Sequence, residues 1–432
     1  MPYSQRWWFL TALLLPTAAS AAETSLNQAN TAWMLTASAL VLFMTLPGLA
    51  LFYGGLVRTK NVLSVFMQCF TIAAMASVLW LILGYSLAFS GDNDWIGNLN
   101  KMFLANGTRT TLQGDIPESL FMIFQMTFAI ITPALIVGGF AERMKFSSML
   151  LFSALWLLLV YAPVTHWVWG GGWLFKMGLY DYAGGTVVHI TAGVSALVAA
   201  MVLGPRKGFP GVAMPPHNMT MTATGAGMLW VGWFGFNGGS ALAANENAAM
   251  AMLVTHISAA AGTMSWLLIE WIRYGKPSAL GAVTGMVAGL GTITPASGYV
   301  GPGGALLIGI TAGLICFFAV NFIKRVLKID DSLDVFPVHG IGGIVGTLLA
   351  GIFSSPNLGV FSGYGFASGI DSMAGQLQVQ AVGVISTLAY TAIITFLLLK
   401  LVAFFTSGLR VDEEEEVQGL DIVCHEERGY SL

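Results

Sequence analysis

Eleven apolar stretches, each long enough to cross a bilayer as a helix, divide this chain of 432 residues. A spanning helix needs about 20 apolar residues. The stretches lie at 31–55, 62–90, 119–141, 147–164, 185–204, 219–240, 248–272, 278–297, 303–323, 336–354 and 377–406. Only 9% of the residues are charged, whereas soluble domains carry about 25%. The sequence therefore predicts an all-α integral membrane protein in a lipid bilayer, with no nucleic-acid partner.

The chain divides into three segments. Residues 1–21 are predicted to be a signal peptide, because Arg6 precedes a short apolar run and Ala19-Ser20-Ala21 forms a small-x-small cleavage site. Residues 30–406 form the membrane domain, and residues 407–432 form a tail with eight acidic and two basic side chains. Composition favours a solvated tail, and the alternative is a module that docks on basic loops or on a partner.

The distribution of Lys and Arg predicts the orientation. One set of short loops is basic and the opposite set holds only three cations, and cytoplasmic loops carry the excess of Lys and Arg. The basic set contains Arg58, Lys60, Arg143, Lys145, Arg206, Lys207, Arg273, Lys276, Lys324, Arg325 and Lys328, and the opposite set contains Lys101, Arg109 and Lys176. The N-terminus is therefore predicted outside and the C-terminus inside.

Two histidines lie in apolar stretches, each eight residues after an aspartate: Asp181 precedes His189, and Asp331 precedes His339. These units open the fifth and tenth stretches. Together with Ile131-Thr132-Pro133-Ala134 and its echo at 293–296, they predict two five-helix inverted repeats plus a final helix.

Both kinds of residue in these units admit a structural and a functional interpretation. An ionisable group at membrane depth is a functional-site hypothesis, and neighbouring imidazoles could pass a small polar molecule or a proton. Alternatively, each histidine bonds backbone carbonyls. The aspartates can cap helix N-termini, and Asp181 could also attract a cation to the outer mouth.

Aromatic residues gather near the predicted outer ends. Phe124 and Phe128 are four residues apart and share a helix face, Trp169 precedes three glycines, and Phe236 precedes Ser240. Aromatic faces attract cations, and a hydroxyl could accept a hydrogen bond from one. On the residues alone, an interfacial aromatic belt is the favoured interpretation.

The remaining polar residues suggest little chemistry. The three cysteines show no disulfide framework or metal spacing, and Glu270 is expected to pair with Arg273. No nucleophile–base pair or metal constellation is apparent, so no enzyme activity, cofactor or metal is expected.

An ordered set of motifs resembles the bacterial ammonium transporter family, also called Amt/Mep and related to the Rhesus proteins. The motifs are Gly-Leu-Ala-Leu-Phe-Tyr-Gly-Gly at 48–55, Ala-Glu-Arg at 141–143, Trp-Gly-Gly-Gly at 169–172, the unit at 181–189, Gly-Trp-Phe-Gly-Phe-Asn at 232–237 and Asp-Val-Phe-Pro-Val-His-Gly at 334–340. The resemblance runs from about residue 30 to the end of the chain.

The resemblance implies a homotrimer of eleven-helix protomers in the bacterial inner membrane, each with its own pore for ammonium, ammonia and possibly methylammonium. It implies an outer recruitment site of Phe124, Trp169 and Ser240, a gate of Phe128 and Phe236, twin pore histidines His189 and His339, and an acidic residue, Asp181, near the recruitment site. It also implies a tail, marked by Gly408, Arg410, Gly419 and Asp421, that couples to PII signal proteins.

Two positions depart from the family pattern. Pro337 stands where many members have Gly, and Glu426 stands where Gly is expected, which puts PII control in doubt more than transport. Two other functions remain open. A partner-dependent sensor would bind a protein in response to ammonium without flux, and a Rhesus-type gas channel would conduct carbon dioxide but not methylammonium.

Overall fold

The computed structural model describes residues 25–430, and the predicted signal peptide lies outside them. Nine of its helices are long and apolar enough to cross a membrane. These are α1 (Gln28–Leu56), α2 (Thr59–Phe89), α3 (Glu118–Phe140), α4 (Phe146–Lys176), α5 (Gly185–Leu203), α7 (Glu246–Tyr274), α9 (Pro302–Val326), α10 (Phe336–Phe353) and α11 (Met373–Phe405). The protein is thus an all-helical, multi-pass membrane protein.

Two further apolar helices occupy the other predicted stretches. Helix α6 (Met219–Trp233) continues through Phe234–Gly238, and α8 (Ala279–Ile293) is shorter than a full span. All eleven predicted stretches therefore fall on helices, while the number of membrane crossings stays a prediction. Among the described residues, the strands Leu112–Gln113 and Ile116–Pro117 form a small antiparallel hairpin in a loop.

Short polar side chains fix where several helices begin. Each accepts a hydrogen bond from a backbone N–H three residues later, which satisfies a donor that the first turn would otherwise leave free. The caps are Asn27, Asn218, Asn245, Ser278 and Ser372. Their positions set the lengths of α1, α6, α7, α8 and α11.

Glycines allow α7 to pack closely between α8 and α9. A Cβ at Gly262 in α7 would lie 2.5 Å from the carbonyl oxygen of Gly285 in α8. A Cβ at Gly309 in α9 would lie 2.4 Å from the carbonyl oxygen of Ser258. Without a hydrophobic driving force between helices in lipid, such close backbone contact holds the bundle together.

The tail folds onto one end of the bundle. Residues 409–411 bond the loop at 141–145. Two short helices follow, α12 (Glu413–Gln418) and α13 (Leu420–His425), of which α12 contacts the loop at 204–207 and α13 contacts residues 61–64. These loops and the adjoining residues 57–60 carry Arg58, Lys60, Arg143, Lys145, Arg206 and Lys207 of the predicted basic set, and we call this end of the bundle the inner end. The favoured interpretation of a solvated tail is therefore wrong. The tail is docked on basic loops of the bundle, as the alternative expected.

The expected Glu270–Arg273 ion pair does not form. Glu270 accepts hydrogen bonds from the backbone N–H of Ser278 at 2.7 Å and from its hydroxyl at 3.0 Å, and thereby ties the end of α7 to the start of α8. The Arg273 guanidinium lies instead over the Phe318 ring, 4.8 Å from its centroid. Glu270 and Arg273 lie close together on one helix, but Glu270 bonds Ser278 instead because the donors of Ser278 at the start of α8 are better placed.

Candidate functional site

An aromatic cavity of about 160 Å³ opens at the end of the bundle opposite the tail. We call it the outer cavity. Its walls include Phe124, Phe128, Trp169 and Ser240. The rings of Phe124 and Phe128 meet at 5.1 Å, and Trp169 stands edge-on to Phe128 at 5.6 Å. The Ser240 hydroxyl donates to the Phe236 carbonyl at 2.8 Å, so the lone pairs of its oxygen remain free to accept a hydrogen bond.

The predicted aromatic belt is wrong for these residues. Phe124, Phe128 and Phe236 are each only 1% exposed, and they face the inside of the bundle rather than an interface. The Phe128 and Phe236 rings lie 4.3 Å apart at an angle of 39°. This pair closes the inner end of the outer cavity, because the next cavity begins at Phe236.

Below the phenylalanine pair, the two histidines meet. Nδ1 of His189 lies 3.1 Å from Nδ1 of His339, and their rings are nearly parallel at 7° with centroids 5.2 Å apart. One Nδ1 must donate and the other must accept, so the two neutral rings hold opposite tautomers. Nε2 of His189 is buried and has no hydrogen-bond partner among the described residues. The pair therefore keeps unused hydrogen-bonding capacity inside an apolar region.

A narrow cavity follows the histidine rings. Its volume is about 10 Å³, which is close to the smallest cavity that can hold one water molecule. Apart from the two imidazoles its lining is hydrophobic: Leu49, Phe52, Ile131, Leu135, Val188, Leu229, Trp233, Phe236 and Val287. We call it the histidine cavity. A charged group there would find the two imidazoles as the only polar side chains in the lining.

Backbone geometry brings the histidines together. Each lies in a wide π-helical turn that opens its span, Gly185–Ile190 for His189 and Phe336–Gly340 for His339. Similar turns also occur in α1, α2, α4, α9 and the continuation of α6, so the turn alone does not mark the site. Where α5 crosses α10, a Cβ on Gly193 would lie 2.3 Å from the Cα of Gly340. Only a glycine at position 193 lets the helices approach closely enough for the rings to bond.

Trp233 supports the histidine pair from the side. Its ring stacks on His189 at 5.6 Å and 10°, and its Nε1 donates to the Thr294 hydroxyl at 2.9 Å. The sequence showed Trp233 only as one of several clustered aromatics, because nothing in a single chain tells which helix faces which.

Asp181 acts as the predicted cap. Its carboxylate accepts from the backbone N–H groups of Gly184 at 2.8 Å, Gly185 at 2.5 Å, Thr186 at 2.8 Å and Val187 at 3.2 Å, and from the Thr186 hydroxyl. This satisfies the free donors at the start of α5. Asp181 is buried, so its role in the structure is to fix the turn that carries His189.

The Asp181 loop is also tied to the aromatic cavity. Nε1 of Trp169 donates to the Asp181 carbonyl at 2.8 Å. Gly184 adopts a φ of +115°, a left-handed conformation that favours glycine. The outer cavity and the histidine turn therefore share one rigid support.

A larger cavity of about 320 Å³ opens from the histidines to the inner end. His339, Phe52 and Val287 line both this inner cavity and the histidine cavity. At its mouth the Lys324 ammonium pairs with Asp334 at 2.8 Å. The three cavities thus follow one another, with the phenylalanine pair between the first two and the histidines at the narrow second one.

Asp331 caps α10 less completely than Asp181 caps α5. Its Oδ2 accepts from the Phe336 N–H at 2.7 Å, and its Oδ1 is buried without a partner among the described residues. Burial, reinforced by the negative charge of Asp334, raises the pKa of Asp331 to about 7. Pro337 lies in the first turn of α10, where its missing N–H is not needed, so this departure from the family pattern leaves the site intact.

Two polar residues of the outer cavity were not anticipated. Gln125 and Tyr182 both line it, and the Gln125 Oε1 and the Tyr182 hydroxyl are buried without a partner among the described residues. The sequence contained a signal only for Gln125, a lone amide in the apolar run of α3.

Comparison with known proteins identifies the family. The sequence matches the profile of the Ammonium Transporter Family over residues 32–430. The chain belongs to this family. A putative ammonium transporter of Methanothermobacter thermautotrophicus is 48% identical over 412 residues, which cover 94% of this chain and 99% of the relative. An ammonium transporter of Bacillus subtilis is 47% identical, with coverage of 94% and 99%.

Solved structures of the ammonium transporter family share the fold. Saccharomyces cerevisiae Mep2 has a TM-score of 0.81 and 38% identity, covering 90% of this chain and 92% of Mep2. A sensor Amt protein has a TM-score of 0.84 and 30% identity, with coverage of 92% and 98%. The predicted resemblance is confirmed, and the family is one of transporters rather than enzymes.

The tail residues that the family resemblance marked lie at the contact between the tail and the bundle. Arg410 donates to the Leu203 carbonyl at 3.0 Å and pairs with Glu416 at 2.7 Å. Asp421 accepts from the Ser64 N–H at 2.7 Å. A Cβ on Gly419 would lie 2.6 Å from Cβ of Lys60. In this ammonium transporter the tail is therefore held by specific contacts rather than by net charge alone.

Gly408 stands where the chain leaves α11 and turns towards the inner loops. Its φ of +98° lies in the region that favours glycine. The next residues run along the loop after α3, with the Lys145 N–H donating to the Leu409 carbonyl at 2.9 Å and the Val411 N–H donating to the Arg143 carbonyl at 3.1 Å. Gly408 thus directs the tail onto the bundle.

A buried charge network lies beneath the tail. Arg206 bonds Glu142 at 2.7 Å and Asp330 at 2.8 Å, and Arg58 also reaches Glu142, at 3.1 Å. Although burial disfavours the charged carboxylate, Arg206 and Arg58 hold the pKa of Glu142 below its ordinary value. Glu416 of α12 is buried and extends this network from the tail side, accepting from the Lys207 N–H at 2.8 Å.

Proposed function

We propose that this protein transports ammonium by capturing the ion in the outer cavity, removing one proton and conducting ammonia past His189 and His339. The observation that carries the proposal is the position of the bonded histidine pair. It lies in the narrowest, least polar part of a row of cavities, directly below a closed pair of phenylalanines.

Capture follows from the chemistry of the outer cavity. The faces of Phe124, Phe128 and Trp169 attract a cation, by about 2 kcal/mol or more per ring when water is excluded. Ser240 accepts a hydrogen bond from it. Potassium has a similar size and charge, so this cavity favours cations over anions without separating ammonium from potassium.

Selection occurs at the histidine cavity. An ion that enters a channel this apolar loses its hydration without compensation, which is far more costly than the transfer of a neutral molecule. Ammonium can lose a proton and pass as ammonia, whereas potassium cannot. The phenylalanine pair separates the cavity where the ion is charged from the cavity where it must be neutral.

The histidines serve the neutral species. With opposite tautomers they offer both donors and acceptors to ammonia, which reduces the cost of leaving water. A shift of the shared proton between the two Nδ1 atoms, with exchange at the Nε2 atoms, also gives a route for proton return. Transport can then be neutral or carry net charge, depending on whether the proton follows.

The architecture we propose has eleven spans in two inverted five-helix repeats plus α11, with the N-terminus outside and the tail inside. The protein acts as a homotrimer in the bacterial inner membrane, each protomer with its own pore. The docked tail is the surface for a PII-type signal protein. The family resemblance and the clustering of the basic loops at the tail end support this arrangement.

The test is the ammonium-induced current of purified protein in proteoliposomes on a solid-supported membrane. We expect a saturable response to ammonium and none to potassium, and loss of flux or of potassium exclusion in the double variant His189→Ala/His339→Ala. An internal-pH dye in the same vesicles detects neutral ammonia conduction. A double variant with unchanged flux and unchanged potassium exclusion would falsify the role of the histidines.

A second candidate function is sensing, favoured by the likeness to a solved sensor Amt protein and by a tail docked through specific contacts. A sensor would bind a cytoplasmic protein in an ammonium-dependent way and show neither current nor a change of internal pH. Measuring both readouts on one preparation separates the two functions.

A further inference from the structure

Two buried oxygen atoms of the outer cavity lack a hydrogen-bond partner within residues 25–430. They are Oε1 of Gln125, in a side chain that belongs to a residue only 8% exposed, and the hydroxyl oxygen of Tyr182. Most buried polar atoms in proteins are bonded, so each exception calls for an explanation. Both residues line the same cavity as Ser240, so an occupant of that cavity can supply the missing partner.

The Tyr182 ring is held firmly in place. A Cβ on Gly298 would lie 2.0 Å from the ring, so the ring occupies the space that glycine leaves open. The edge of the Tyr299 ring meets it at 5.6 Å and 85°. Its backbone N–H donates to the Pro295 carbonyl at 3.0 Å. A hydroxyl fixed in this way without a protein partner is preorganised for a ligand, because no rotamer must be ordered on binding.

The chemistry of the site indicates what the occupant offers. The aromatic walls attract positive charge but provide no lone pairs. Ser240 provides an acceptor, and the two orphan oxygens provide two more. An ammonium ion carries four N–H donors in a tetrahedral arrangement, so three oxygens and one aromatic face match it. We propose that the Tyr182 hydroxyl and the Gln125 amide oxygen are additional substrate-binding groups that set the affinity of the outer cavity for ammonium.

This inference rests on the proposed function only for the identity of the substrate. The binding step can be measured without transport. The inference also predicts how the variant Tyr182→Phe changes the stability of the protein. Because the Tyr182 hydroxyl has no partner in the described part of the chain, its removal leaves no donor or acceptor there newly unpaired. The variant Tyr182→Phe should therefore be at least as stable as the parent without ammonium, whereas loss of a structural hydrogen bond would lower Tm.

The experiment compares Tyr182→Phe and Gln125→Met with Tyr180→Phe. Tyr180 is a matched control in the same loop, because its hydroxyl donates to the Gly365 carbonyl at 3.3 Å and it does not line the cavity. Ammonium chloride is titrated at constant ionic strength, and its affinity is measured from the rise in Tm. The half-saturating concentration for current is measured in proteoliposomes.

We expect the half-saturating ammonium concentration to rise about tenfold or more in Tyr182→Phe and in Gln125→Met, since each loses a hydrogen bond to a charged ligand. In both variants the maximal current and the ammonium-free Tm should stay unchanged. Tyr180→Phe should keep the ammonium affinity and the current of the parent, while its ammonium-free Tm falls because it loses the hydrogen bond to the Gly365 carbonyl. Unaltered ammonium affinity in Tyr182→Phe would overturn the inference. If the parent binds ammonium but carries no flux, transport fails while the binding titration still decides the inference.

Discussion

The crossing of α5 and α10 gives a quantitative prediction for Gly193→Ala. The new Cβ would stand 2.3 Å from the Cα of Gly340, whereas carbon atoms in contact prefer about 3.5–4.0 Å. The helices must therefore separate by about 1 Å. If that movement falls along the line between the rings, the 3.1 Å contact of the two Nδ1 atoms lengthens to about 4 Å, beyond hydrogen-bonding distance.

Two losses should follow from this separation. Overpacking of this kind costs about 1–3 kcal/mol, which lowers Tm by a few degrees, and the broken histidine contact reduces ammonium flux. Thermal unfolding of the purified protein measures the first loss, and current in proteoliposomes measures the second. The control is Gly342→Ala on α10, where the nearest atom to a new Cβ is the end of the Thr292 side chain at 3.0 Å, which a small adjustment relieves.

The reasoning is refuted if Gly193→Ala keeps both the Tm and the flux of the parent, because the close helix contact would then not position the histidines. If Tm falls while flux is retained, the packing argument holds but the short Nδ1 contact is not needed for transport. The two readouts therefore test separate links of the argument.

Three further predictions concern the stability of variants at Asp331, Glu426 and Arg206. Burial raises the pKa of Asp331 to about 7 and so favours its protonated form in the folded protein. The contribution of Asp331 to stability is therefore greatest below the ordinary carboxyl pKa of about 3.9 and is lost as pH rises through about 7. Asp331→Asn should remove this part of the pH dependence of thermal unfolding between pH 5 and 8. Glu426 has a φ of +55°, so Glu426→Gly should relieve about 1 kcal/mol of strain and slow proteolysis of the tail. Arg206→Met removes the ion-pair partner of the buried Asp330 and one of the two partners of Glu142, and should cost about 3–5 kcal/mol. Lys207→Met, at an exposed ion pair, should cost less than about 1 kcal/mol.

Much of the fold followed from the sequence because lipid imposes a simple rule. A long apolar stretch must form a helix to satisfy its backbone, so every predicted stretch falls on one. The spacing of eight residues between Asp and His was equally informative. In a helix this spacing fixes the position of the histidine relative to the aspartate that caps the first turn. Asp181 and Asp331 accordingly accept hydrogen bonds from the first turns of the helices that carry His189 and His339.

Contacts between helices were harder to predict. Tyr182 and Gln125 lie in the outer cavity because of how α3 and the loop before α5 face each other, and a single sequence contains no information on that pairing. The tail was misjudged for a related reason. Composition showed a run of acidic residues, but only Glu416 among Glu413–Glu416 is buried, and its partners Arg58, Lys207 and Arg410 come from three distant parts of the chain.

The two capping aspartates show how a repeated motif can acquire two different properties. Asp181 accepts hydrogen bonds from the backbone N–H groups of four successive residues, so its carboxylate is well supplied with donors. Asp331 meets one such donor and has Asp334 beside it, so its charge is poorly compensated. The spacing to the histidine is the same in both units, and the difference therefore comes from their surroundings. The cap that precedes His189 is therefore well supplied with donors, whereas the cap that precedes His339 is a carboxyl whose pKa burial raises to about 7.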